Sequence, residues 1–145
     1  MTKKLIPTVV ILAFIISAMA EEKSELIGTQ APSIYLFKLS SNKYFRSKDL
    51  LGEKTLVVSF FATWCVPCAK EIPKLHEIAA EMKEKDLEFI LVDVNEKKDK
   101  VAKHVAEKEY ILQVILDKYG KAFESFKGVI LPLLVVINKK GIITY

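Results

Sequence analysis

Cys65 and Cys68 are the only two cysteines of the chain, and they stand together in the run Trp64-Cys65-Val66-Pro67-Cys68. With two residues between them, the second sulfur lies within bonding reach of the first, so a disulfide closes and reopens without large movement. The chemistry this allows is thiol–disulfide exchange, in which a thiolate attacks a disulfide sulfur and passes through a mixed disulfide. For that the first sulfur must be a good thiolate. A helix N-terminus offers unpaired N–H groups and the positive end of a dipole, and it lowers a thiol's ordinary pKa of about 8.5 by one to several units. Pro67 suits such a position because first-turn N–H groups have no partner inside the helix. The first cysteine is expected to cap the helix and face solvent, with the second a turn deeper.

Other uses of the pair fare worse. A c-type haem attachment needs His directly after the second cysteine, and residue 69 is Ala. A metal site would have to recruit His76 and His104, and His76 lies eight residues past Cys68, a little over two helical turns away. A permanent structural disulfide would close almost no loop, and stabilisation by a disulfide grows with loop length. The strand–CxxC–helix setting favours an exchanging pair.

The elements around the pair supply that setting. Thr55–Ala62 (TLVVSFFA) is a β-rich run, apolar almost throughout, as in a strand covered on both faces. Val66 to about Lys85 reads as a helix, with Ile72, Leu75, Ile78, Ala79 and Met82 on the inner face. Glu88–Val94 is a second buried strand, and the charged stretch Glu96–Glu109 a surface helix. Val114–Leu116 is a short strand, Lys118–Phe126 a short helix with Tyr119, Phe123 and Phe126 inward, and Leu133–Ile137 a strand. Asn138–Gly141 forms a tight turn before another strand at Ile142–Tyr145. Gly28–Gly52 alternates apolar runs with turn residues and predicts a small hairpin ahead of the main fold. Strands alternating with helices imply a mixed α/β sheet flanked by helices.

The front of the chain has the order of a secretory signal. Lys3 and Lys4 precede sixteen uncharged residues, Leu5 to Ala20, closing on Ala18-Met19-Ala20. The expectation is a signal over 1–20, cleaved after Ala20 or kept as a membrane anchor, ahead of one domain over 21–145. No cysteine follows the apolar stretch to take a lipid. The chain carries a net charge of +4, two of it from Lys3 and Lys4, and the remaining lysines are interleaved with acids. That argues against nucleic acid as a partner.

The stretch from Thr63 to Pro73, TWCVPCAKEIP, resembles the thioredoxin superfamily, and within it the TlpA/ResA-like extracytoplasmic thiol–disulfide oxidoreductases, whose signature is WCxPCxxExP. Ile27-Gly28-Thr29-Gln30-Ala31-Pro32 is similar to the opening of that group and of the AhpC/TSA redoxins. Leu116-Asp117-Lys118-Tyr119-Gly120, Gly128–Pro132 and Asn138–Gly141 match its later segments. The resemblance implies a thioredoxin-like fold with an N-terminal β-hairpin, Cys65 as attacking thiolate and Cys68 as resolving thiol. It also implies a cis Leu131–Pro132 bond whose preceding backbone pairs with substrate, and Trp64 and Pro67 beside the approach. No metal or organic cofactor is implied. The partners would be protein thiols and disulfides of the cell envelope and a membrane thiol–disulfide carrier, with reduction of cytochrome c thiols as the type role.

Glu71 follows the same logic from its own spacing. It falls on the apolar stripe with Leu75, Ile78 and Met82, three residues past Cys68. A carboxylate there is placed to relay a proton to or from a thiol. Departures from the pattern are Ser59 where related proteins carry Asp or Asn, Phe61 for Trp, and Leu133 after the cis-proline. Set against the group, the expectation is a domain short at its C-terminus, with the last helix missing after Tyr145. Pro73 should kink the helix one turn past the cysteines. The alternatives are a net oxidant or isomerase and, outside enzymes, a redox-inert or metal-handling module. A copper carrier would need CxxxCP, and a peroxidase a PxxxT-type loop where position 58 is Val.

Overall fold

The computed structural model describes residues 25–41 and 43–145. The expected signal over 1–20 lies outside the described residues, and among them no helix is long and apolar enough to cross a membrane. The elements in chain order are β1 (Tyr35–Lys38), β2 (Tyr44–Arg46), a 3-10 turn (Ser47–Leu50), β3 (Thr55–Phe61), α1 (Val66–Glu81), β4 (Leu87–Val94), α2 (Lys98–Glu107), β5 (Gln113–Asp117), α3 (Lys121–Ser125) and β6 (Leu133–Ile137).

The strands form one six-stranded sheet in the order β2-β1-β5-β4-β3-β6. Its centre is parallel, β3 against β4 and β4 against β5. β6 runs antiparallel along β3, and β1 antiparallel along β5. The hairpin is therefore not an appendix ahead of the fold but one edge of the same sheet.

Period-two alternation along β3 and β4 splits the core into two layers. Leu56, Val58, Phe60, Ile90 and Val92 face one layer, closed by Phe126, Val135, Ile137 and Ile143. Phe61, Leu91, Val114 and Leu116 face the other, where they meet Ile72 and Leu75 of α1, Val101 of α2 and both cysteines. Each such side chain contributes about 1.5–3 kcal/mol on burial. The cysteine pair is thus built into a packed layer and is not a surface loop.

Four expectations need correction. The helix at Val66 ends at Glu81, and Ile78 and Met82 are exposed where burial was expected; no described element covers that last turn. Tyr119 is exposed because it sits in the turn from Asp117 to Gly120, whose φ of 67° breaks the chain direction before α3 begins. Its ring lies under the Lys118 ammonium instead. Ile142–Tyr145 makes isolated bridges and turn hydrogen bonds to Gln30 and β6 and not a regular strand. Glu96, expected on a helix surface, precedes α2 and has a side chain only 5 % exposed.

Candidate active site

β3 ends at Phe61, and a tight turn follows in which the Cys65 N–H donates to the Ala62 carbonyl at 3.0 Å. Cys65 is the N-cap of α1. Its backbone is extended, and its Sγ accepts the Cys68 N–H at 3.3 Å, so the sulfur itself satisfies one of the helix's free donors. Cys65 and Cys68 are joined as a disulfide with Cα atoms 5.3 Å apart. Pro67 occupies the first turn, and Pro73 lies inside the helix.

Cys65 does not face solvent as expected. In the disulfide state it is 4 % exposed and Cys68 1 %. Both sulfur-bearing side chains pack in the layer with Phe61, Ala62 and Ile72, so access depends on the rim. That rim is apolar and exposed: Trp64 is 68 % accessible, and Val66, Val129 and Ile130 are open to solvent.

The Leu131–Pro132 bond is cis. Leu131 packs against both core layers, including the one that holds the cysteines. Trp64, Phe123, Val129, Ile130 and Leu131, with Val94 and Asn95, line a cleft of about 350 Å³. Gly128 shapes this loop, since a Cβ there would lie 2.2 Å from the Phe123 ring. The structure so brings Leu131, the residue before Pro132, to Trp64 and the layer of Cys65 and Cys68, from segments more than sixty residues apart.

Glu71 is half-buried on α1, and its Oε2 accepts the Ser59 hydroxyl at 3.1 Å. The serine that replaces the acid of related proteins therefore supports Glu71 from β3. His76 and His104 do not approach the sulfurs as a ligand set; they flank the Tyr110 ring edge-on, each 5.6 Å away. Burial lowers the pKa of both. Among the described residues no group of three or more His, Cys, Asp or Glu could hold a metal.

The chain matches the AhpC/TSA family model over residues 27–145. It belongs to the AhpC/TSA family. Within that family it is 35% identical over 121 residues to the thiol-disulfide oxidoreductase ResA of Bacillus thuringiensis subsp. konkukian, covering 83% of this chain and 68% of that protein. A solved thioredoxin-family thiol:disulfide interchange protein from Chlorobium tepidum superposes with a TM-score of 0.68 at 28% identity, over 87% of this chain and 86% of that one. The thioredoxin domain of a thiol-disulfide oxidoreductase from Bacteroides vulgatus gives 0.75 at 24% identity, over 83% and 86%. The fold is thioredoxin-like, and the protein is a thiol–disulfide oxidoreductase of the ResA type.

Sequence reasoning missed two buried acids of this AhpC/TSA-family domain. Asp93 is the next-to-last residue of the apolar strand β4 and is fully buried. Glu96 reaches back under the cysteine turn, where its Oε2 accepts the Thr63 N–H at 2.6 Å and its Oε1 the Thr63 hydroxyl at 2.8 Å. The Lys100 ammonium closes the group at 2.5 Å from Oε1. An acid inside a strand buried on both faces was the available signal for Asp93. Glu96 gave none, because it opens a charged run.

Proposed function

We propose that this protein is an exported reductant of protein disulfides, of the kind that prepares cytochrome c thiols, working through Cys65 and Cys68. The observation that carries the reading is a disulfide capping helix α1 beside a cis-proline loop and an apolar rim. The ResA relatives support its type. The basic, then apolar, then small-residue order of residues 1–20 supports export to an extracytoplasmic site, cleaved or anchored, with the domain following at 21–145.

In the reduced protein the Cys65 thiolate attacks a substrate disulfide, and one substrate sulfur leaves as thiolate. The Cys68 thiol gives up its proton and attacks Cys65 Sγ, expelling the second substrate sulfur. The products are a substrate dithiol and the Cys65–Cys68 disulfide seen here. A dithiol carrier in the membrane then returns two electrons and two protons. Substrate backbone pairs beside Pro132 at Leu131, Trp64 and Pro67 shape the approach, and Glu71 relays the Cys68 proton. No organic cofactor or metal takes part in these steps.

The test uses a peptide with two cysteines two residues apart, oxidised, mixed with the reduced protein. Wild type should release the peptide dithiol, and Cys68→Ser should halt at a one-to-one mixed disulfide through Cys65. A mixed disulfide through Cys68 would overturn the role assignment, and no exchange at all would make the domain a binding module.

A further inference from the structure

The active-site turn rests on a buried arrangement that the exchange steps above do not use. Thr63 is the second residue of the turn from Ala62 to Cys65, and both of its hydrogen-bond donors go to one carboxylate, that of Glu96. Glu96 is thus a two-point clamp on the backbone that delivers Cys65. Beside it, Asp93 is 0 % exposed, and neither of its side-chain oxygens has a hydrogen-bond partner among the described residues. Its polar neighbour is Glu96 itself, and a hydrogen bond between two carboxyl groups requires one of them to carry a proton.

The rest of the surroundings decide where that proton sits. Register places Asp93 between Phe61 of β3 and Leu116 of β5, facing the layer that holds Leu91, Val101 and both cysteines. The charged groups acting on the pair are Lys100 of α2, which is bonded to Glu96, and Asp117 of β5, which repels Asp93. His104, further along α2, feels Glu96 more weakly than its own burial. Burial pushes Glu96 up, but bonds from Lys100 and Thr63 outweigh it and hold its carboxyl below the ordinary range. Asp93 has no such donors. Burial first, then Glu96, pushes it up to about 8. This balance favours the proton on Asp93, with the Glu96 carboxylate as its available acceptor.

We propose that Asp93 and Glu96 form a one-proton carboxyl pair that positions the Thr63–Cys65 turn, and that losing this proton loosens the clamp and lowers the reactivity of Cys65. The link to reactivity rests on Cys65 being the exchanging thiol; the clamp itself does not. Asp93 and Glu96 touch no substrate and are positioning residues. Their leverage on the sulfur is electrostatic as well as mechanical, because ionised Asp93 adds a negative charge to the buried layer that holds both cysteines.

The experiment begins with the oxidised protein, in which no thiol titrates. The Thr63 amide resonance and the Asp93 side-chain carboxyl carbon are followed by NMR from pH 5 to 10. Both should move together through one step near pH 8, and the Thr63 step should vanish in Asp93→Asn, whose amide donates to Glu96 at every pH. An Asp93 carboxyl carbon that shows no step between pH 5 and 10, as an ordinary carboxylate would, overturns the proposal in the wild-type protein without any variant. A Thr63 step that persists in Asp93→Asn overturns it as well.

In the second arm the reduced proteins are alkylated with limiting iodoacetamide. Asp93→Asn should match wild type at pH 6 and react at least about threefold faster above pH 8.5, where wild-type Asp93 is ionised and disfavours the thiolate. Superimposable curves would end the claim on reactivity. If Thr63 titrates as expected and no peptide disulfide is exchanged, the clamp stands and the exchange reading fails, so the two failures are distinct.

Discussion

Glu71 reaches the cysteine helix from its own second turn, half in water, with one neutral hydroxyl, Ser59, for a partner. Glu96 reaches the same turn from the loop after β4, buried, with a backbone N–H, a hydroxyl, an ammonium and a protonated carboxyl around it. The first arrangement leaves a carboxylate open to water on one side. The second fixes a carboxylate in place, at the cost of holding a proton on Asp93. On the proposed reading, one acid moves a proton and the other keeps a loop where it is.

We predict four results that break or sharpen this contrast. The largest is expected at the group both acids serve. Cys65→Ser should lower exchange with a disulfide peptide by on the order of 10³-fold or more, while Cys68→Ser accumulates the mixed disulfide, as read by mass spectrometry. Retained turnover in Cys65→Ser would remove the reason for comparing the two acids.

The next effect separates a clamp from a loose contact. Glu96→Leu leaves the Thr63 donors and Asp93 buried without an acceptor, and should lower unfolding free energy by about 2–5 kcal/mol in urea titrations at pH 6. Ser59→Ala removes one neutral bond to a half-buried group and should cost about 0.5–1.5 kcal/mol. Equal losses would erase the distinction.

The third concerns pH. The unfolded chain sheds the Asp93 proton near its ordinary 3.8 and the folded protein near about 8. Between these values the folded state binds the extra proton, so this group's contribution to stability falls by about 1.4 kcal/mol per pH unit as pH rises. It is fully present below the lower value and lost by the upper one. Asp93→Asn lacks this slope, so its Tm should gain on wild type from pH 5 to pH 8 and then run parallel. A constant difference across that range would mean that Asp93 is ionised in the fold.

The smallest effect belongs to Glu71. An ionised carboxylate disfavours a nearby thiolate, so Glu71→Gln should lower the Cys65 thiol pKa by a few tenths of a unit up to about one. The alkylation rate measured against pH checks it, at low and high ionic strength. Superimposable curves would return Glu71 to a helix-surface role.

The unequal legibility of the two sites has a physical cause. Cys65, Cys68, Pro67 and Glu71 lie within seven residues on one helix, where spacing alone fixes their relative placement. The strands β3, β4 and β6 are equally plain, because burial on both faces demands continuous apolar runs. Leu131–Pro132 needed the family resemblance, since nothing local marks an X–Pro bond as cis. Glu96 is hidden by its neighbours: Lys97, Lys98, Asp99 and Lys100 make a stretch that reads as solvated. Its burial depends on the Thr63 turn folding over it, a contact across thirty-three residues. Ile78 and Met82 misled in the opposite direction, since helical periodicity places a side chain on a face and does not supply the element that would cover it.

The claim on which the account turns is that the pair works as a reductant, and the reduction potential of the Cys65–Cys68 couple in the intact protein tests it most directly. Equilibration with a glutathione or dithiothreitol buffer at pH 7 should give a value near the thioredoxin end of the range, about −270 mV or lower. A value near the DsbA end, about −120 mV, would contradict it. At about 1.4 kcal/mol per 30 mV the two ends differ by several kcal/mol, and the higher value would make this protein a net oxidant.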